Sequence, residues 1–265
     1  MRTELLSVPG EPERANEDFA AISPLGAAVV LDGVTPPPDG QTGCVHTVTW
    51  FVQQLGPALL DRAVGRRDQS LADCLADAIG QTRAKHEDTC DLSHRRTPQA
   101  TVVVLRWHEK QVEYLVLSDS VLLLDINGTV TPLLDGRLDE VTGRPEMREI
   151  RYTPGYFHAL EGLRNADGGF YTAAADPEVA KRAVTGRLPR EDVRAAVAMS
   201  DGASRWSEVF GFGDWTDLFQ QAEKSVEELV DTVRAAETAD PRRQKFPRGK
   251  SRDDASVVFI DLADE

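Results

Sequence analysis

Five short stretches of the 265-residue chain place acidic side chains where an apolar run ends or begins. GAAVVL (26–31) runs into Asp32-Gly33, and YLVLS ends on Asp119. AVAMS ends on Asp201-Gly202, Asp253-Asp254 opens ASVVFI, and Asn16-Glu17-Asp18 precedes FAAI. Each apolar run has the length and composition of a buried strand. Acids at adjacent strand ends converge in space. Left unpaired in a low-dielectric cleft they would repel at a cost of several kcal/mol. Hard divalent cations with oxygen ligands relieve that repulsion. Asp-Gly is also an ordinary turn pair, so the weight lies on the ordered set and not on any one member. The glycines after Asp32 and Asp201 allow a sharp turn and a close carbonyl.

Several other chemistries are excluded. Gly249-Lys250-Ser251 lacks the glycine that would begin a phosphate-binding loop, because Gln244 stands there. His86-Glu87 and His108-Glu109 lack the second histidine of a zinc-protease helix, and no Gly-x-Ser-x-Gly elbow occurs. The three cysteines, Cys44, Cys74 and Cys90, cannot form a full disulfide framework. No Cys-x-x-Cys pair is present, which argues against thiolate zinc and reads the cysteines as reduced, mostly buried thiols. The net charge of −14 argues against a nucleic-acid partner. With no leader-like N-terminus and no long apolar run, no membrane association and a cytoplasmic location are expected.

The elements that must carry the acids are mixed. Helical spacing covers 44–64, with Gly56-Pro57 as a kink point, and 70–90, with Ser70 as N-cap. The Pro- and Gly-rich loop 34–43 forbids regular structure. Residues 100–134 read as an antiparallel meander with a hairpin turn at Asn127-Gly128. The polar, turn-rich segment 135–190 reads as a flap or insertion, with a short helix over 176–185. Helices fill 204–238, with Ser225 and Glu228 as a capping box. The basic loop 241–252 leads to the final strand.

The order of these motifs resembles the PPM family, the type 2C metal-dependent Ser/Thr protein phosphatases. The resemblance rests on Asn16-Glu17-Asp18, Asp32-Gly33, Thr101-Val102-Val103-Val104, Ser118-Asp119-Ser120, Met199-Ser200-Asp201-Gly202 and Asp253-Asp254-Ala255-Ser256. It implies an α+β fold: a single domain over 1–265, built as a four-layer αββα sandwich of two mostly antiparallel sheets flanked by helices. It implies two divalent ions, Mn²⁺ or Mg²⁺, and hydrolysis of a phosphomonoester by a water that both ions activate. Asp32 would bridge the ions. Asp18 or Glu17, the Gly33 carbonyl, Asp201 and Asp253 would complete the site, and Asp119 would serve a weaker third ion. The expected partner is a phosphorylated protein substrate, alternatively a small phosphate ester; a pseudophosphatase binding module is the third reading.

The sequence also departs from the family. Glu13 stands where the family usually carries a phosphate-binding arginine, leaving Arg14 as the catalytic candidate beside it. Val34-Thr35-Pro36 replaces the usual histidine segment, so His46 or His158 would have to act as the acid. Ser118 replaces a glycine, and Arg205 stands where many members carry a further acid.

Overall fold

The computed structural model describes residues 2–36, 41–151 and 153–263; residues 37–40 of the proline-rich loop lie outside the described residues. One five-stranded sheet contains β1 (Thr3–Val8), β6 (Val121–Ile126), β7 (Thr129–Leu133), β9 (Val193–Met199) and β10 (Ala255–Asp261). Its order is β1-β10-β9-β6-β7. The other contains β2 (Phe19–Ser23), β3 (Ala27–Gly33), β4 (Ala100–Trp107), β5 (Gln111–Leu117) and β8 (Val184–Pro189), in the order β2-β3-β4-β5-β8. All named pairings are antiparallel.

The sheets pack face to face. Ala28, Val30, Val103, Leu105, Val116, Leu122, Leu124, Ala196, Ala198, Val258 and Ile260 fill the space between them. The alternate residues of β3 and β4, Val29, Leu31, Val102 and Val104, face the opposite way and pack under α1 (Val48–Gly65) and α2 (Leu71–Ala84). The other sheet's outer face, including Val197, Met199, Val257 and Phe259, packs under α6 (Asp201–Glu208), α7 (Trp215–Lys224) and α8 (Val226–Ala239). The layers are therefore helix, sheet, sheet, helix, as expected. Both faces of the central strands are covered, which is why they read as continuous apolar runs and not as alternating ones.

The antiparallel meander expected over 100–134 is corrected. β4–β5 and β6–β7 are both hairpins, and Asn127-Gly128 does turn the second with positive φ at both residues. The hairpins belong to different sheets, however, and the chain crosses between them at Ser118-Asp119-Ser120. Strands buried on both faces carry no alternation to reveal such a switch. Ser118 takes φ +69° at the crossing, a conformation that disfavours side chains other than glycine.

The helices start where their caps lie. Thr47 accepts the Trp50 amide, and Ser70 accepts the Asp73 amide. Gly56 lets α1 lie against Phe19, whose ring is 2.2 Å from where a Cβ would be. The second helix stops at Ala84, short of the expected 90. Ser225 caps α8 through the Glu228 amide, while a two-way box occurs at Asp214 and Asp217. The segment 135–190 is more structured than its composition suggests. It holds α3 (Arg137–Thr142), α4 (Pro145–Glu149), α5 (Pro154–Leu163), a 3₁₀ turn at Pro177–Arg182 and strand β8.

Candidate metal centre

The acids named from the sequence sit at strand and helix ends, near enough for Asp18, Asp32, Asp201 and Asp253 to influence one another electrostatically. Asp32 is the penultimate residue of β3, opposite Thr101, whose hydroxyl accepts the Asp32 amide at 3.3 Å. Asp18 immediately precedes β2 and is buried. Ser200 donates its hydroxyl to Asp18 Oδ2 at 2.8 Å and accepts the Ser256 amide at 2.9 Å. Asn16 accepts the Asp18 amide at 2.9 Å. Asp201 opens α6, and its amide donates to Asp32 Oδ2 at 3.3 Å. A helix N-terminus thus faces Asp32, the end that favours negative charge.

Three close backbone approaches bring these elements together. A Cβ on Gly202 would lie 1.9 Å from the Asp254 carbonyl oxygen, one on Gly33 2.4 Å from the Glu17 carbonyl, and one on Gly10 2.8 Å from the Asp253 carbonyl carbon. Only glycine permits such contact. Asp254, which the sequence pairs with Asp253, accepts the amides of Gly10 at 2.7 Å and Glu17 at 2.6 Å. Its carboxylate fixes the opening motif to the start of β10. The Glu17 carboxylate itself accepts the Thr35 hydroxyl at 2.5 Å.

The electrostatics follow from burial and crowding. Burial pushes the Asp18 carboxyl up to about 8, with Asp254 and Asp253 adding to the effect. Asp32 is held well above the usual carboxylate range by burial, then by Asp201, Asp18 and Asp253. Asp253 rises to about 6 through burial and Asp201, even though Lys250 and Arg205 each bind it at 2.6 Å. Asp119 rises to about 6 through burial and Asp201, and Arg164 partly offsets this. Arg205 is shared with the buried Glu237 at 2.8 Å. The carboxylates around Asp32 therefore outnumber the side-chain cations. Added positive charge on oxygen ligands is what this donor set lacks, so it fits divalent ions.

Two participants escaped the sequence reading. Burial favours loss of the Lys250 proton, but Asp253, Asp32 and Asp201 together hold it on. Desolvation pushes the Glu208 carboxyl up to about 7, with Asp201, Asp139 and Asp119 adding to the effect. Lys250 lies in a basic loop that reads as a solvated tract, and Glu208 follows no strand, so neither carried a signal. Of the remaining candidates, Arg14 is exposed in a turn closed by its amide to the Glu11 carbonyl. Among the described residues it makes no ion pair with the acids. His158 is exposed on α5, and His46 lies with Cys44, His86 and Cys90, apart from the acids.

A double antiparallel sandwich with acids gathered at its strand ends defines a metal-dependent phosphatase architecture. The sequence profile of "Protein phosphatase 2C" matches residues 15–246. The chain belongs to that family and is a hydrolase of the phosphatase class. The family uses divalent metals. Among solved structures, the catalytic domain of the serine threonine protein phosphatase PstP, in complex with two manganese ions, superposes with a TM-score of 0.60. It is 16% identical and covers 98% of this chain and 97% of that chain. The serine/threonine phosphatase Stp1 from Staphylococcus aureus gives 0.62 at 13% identity, covering 99% and 95%. PppA of Pseudomonas aeruginosa, described as a regulatory component of its T6SS, gives 0.60 at 14% identity, covering 98% and 97%. At these identities the likeness speaks to the fold. No curated protein matches the sequence significantly. Among the described residues, no helix is long and apolar enough to cross a membrane.

Proposed function

We propose that this chain hydrolyses phosphoserine and phosphothreonine on proteins, using two Mn²⁺ or Mg²⁺ ions held at the Asp32 cluster. The observation that carries the reading is the gathering of Asp18, Asp32, Asp201 and Asp253 with too few side-chain cations to neutralise them. Asp32, Asp18, the Gly33 carbonyl, Asp201 and Asp253 are the proposed ligands, with Glu17 acting through water. Bound ions of this kind acidify a water and neutralise charge on a phosphoryl group. The chain's own part is to fix the oxygens that receive them. Ser200 orients Asp18, the Asp201 amide orients Asp32, and Asp254 anchors the Glu17 segment. Arg164 beside Asp119 and Arg205 on Asp253 supply positive charge that weakens a third ion site. The segment 137–164 borders the site through Asp139 and Arg164, which supports a substrate-facing flap there. Arg14 remains the proposed phosphate contact, reached by movement of its exposed turn.

One observation favours the binding-module reading. Both oxygens of Asp253 are already engaged, by Arg205 and Lys250. An ion bound by Asp253 must displace one of these contacts. Hydrolysis of p-nitrophenyl phosphate with Mn²⁺, Mg²⁺ or chelator, on wild type and Asp32→Asn, separates the readings. Metal-dependent turnover lost in the variant is expected; equal rates for both proteins would leave the binding module. Phosphopeptide and small-ester substrates compared at the same metal concentration then decide the substrate class.

A further inference from the structure

A second, chemically different cluster lies where α1 begins and α2 ends. Cys44 and His46 stand just before Thr47, the cap of α1, while His86 and Cys90 lie in the turns after α2. The four side chains offer ligand atoms that all lie within 4.8 Å of one another, and they are the one such His/Cys/Asp/Glu group among the described residues. His86 is 2% exposed, and the other three are half-buried.

The distances match a four-coordinate ion closely on one count and require movement on another. Cys44 Sγ is 3.4 Å from His86 Nδ1 and 3.6 Å from His46 Nδ1, and Cys90 Sγ is 3.5 Å from His46 Nδ1. Tetrahedral zinc, with its usual bond lengths, sets sulfur and nitrogen ligands about 3.6 Å apart. The two sulfurs are 2.6 Å apart; the same geometry asks for about 3.8 Å, so they must open by roughly an ångström. Each histidine turns Nδ1 toward the thiols. Nε2 of the buried His86 has no hydrogen-bond partner, so hydrogen bonds to that nitrogen do not hold the ring. Trp50, on the first turn of α1, stacks on His46 at 4.0 Å and lies 5.1 Å from His86, screening the cluster. The Asp91 amide donates to the Gly43 carbonyl at 2.7 Å and clips the two loops together.

We propose that Cys44, His46, His86 and Cys90 bind a structural zinc ion, separate from the acid-lined centre. The ligand set is closed, two thiolates and two imidazoles, with no open position for substrate, which is the pattern of a structural site. Its soft donors prefer zinc over the manganese or magnesium suited to carboxylates. The ion joins the start of α1 to the turns after α2, beside the Asp91–Gly43 hydrogen bond and the Lys85–Gln54 contact that already link these helices. The expectation of mostly buried thiols is corrected for two of the three. Cys74 is buried, but Cys44 and Cys90 are not. The ligands come as two short pairs, Cys-x-His and His-x-x-x-Cys, about forty residues apart in a chain without the usual Cys-x-x-Cys signal.

The test uses the full chain, purified under reducing conditions and dialysed against metal-free buffer. Elemental analysis is expected to find one zinc per chain in wild type and in Asp32→Asn, and none in Cys44→Ser or Cys90→Ser. Stripping with chelator should lower Tm, and zinc alone should restore it. If the cysteine variants fail to fold, cobalt titration of stripped wild type decides. Tetrahedral ligand-field bands with thiolate charge transfer support the site. Their absence overturns it, as does zinc retained by Cys90→Ser. A Cys44–Cys90 cross-link in non-reduced peptides, with no cobalt bands after reduction, would overturn it in favour of a disulfide.

Discussion

The acid-lined centre, between the ends of two sheets, and the Cys/His cluster, at the ends of two helices, are built in opposite ways. At the acid-lined centre, oxygen donors arrive from several strand ends, spread out and short of cations. At the helix ends, four soft donors from two loops crowd within a few ångströms. Hard ions on carboxylates keep waters among their ligands, and those are positions a substrate can take. Two thiolates and two imidazoles fill a tetrahedral ion and leave none. The lesson is that coordination number and donor softness, more than acidity, separate a working metal site from a holding one.

Four substitutions probe that contrast. Asp32→Asn should lower the Mn²⁺-dependent kcat by on the order of 10²–10³, measured with p-nitrophenyl phosphate, while leaving zinc content intact. Loss of both together would merge the two sites into one. Gly202→Ala places a methyl group against the Asp254 carbonyl and should cost about 1–3 kcal/mol in urea unfolding. An unchanged midpoint would show that the strand-end acids do not depend on that backbone contact. Lys250→Met removes one of two cations on Asp253. Calorimetry should then show Mn²⁺ binding several-fold tighter, with zinc affinity unmoved. Weaker binding would assign Lys250 a supporting role instead of a competing one. Ser118→Gly relieves a positive φ at the sheet crossing and should stabilise by up to about 1 kcal/mol. No gain would mean that the Ser118 hydroxyl on Asp119 offsets the strain.

How far the sequence could be read depends on what each residue leaves behind in it. Asp32 and Asp201 follow long apolar runs and precede glycine, so both the strand and its sharp end are visible. The sandwich itself came through motif order, because strands such as β4, buried along their whole length, hide which sheet they join. That is why Asp119 was found but the sheet crossing beneath it was not. Asp254 reads as a spare acid; its grip on the Gly10 and Glu17 amides exists only once distant segments meet. Lys250 reaches Asp253 only through the fold of its loop, and Glu208 feels the acids through charge at a distance; neither is recorded in a sequence motif. The Cys/His set lacks the Cys-x-x-Cys pair on which the sequence reading of thiolate zinc turns, because its two halves are separated by a whole pair of helices.

Small side chains at the middle of the sandwich have a consequence for the acids at its edge. Ala28, Ala196 and Ala198 stand between the sheets, and each sheet brings its own share of the carboxylates: Asp18 and Asp32 from one, Asp201 and Asp253 from the other. The interval between the sheets is therefore also the interval between the two halves of the ligand set. A bulkier residue at Ala198 would act as a shim, prising the halves apart without touching a single acid. The interior works as a calliper for the metal centre, set by the side chains between the sheets.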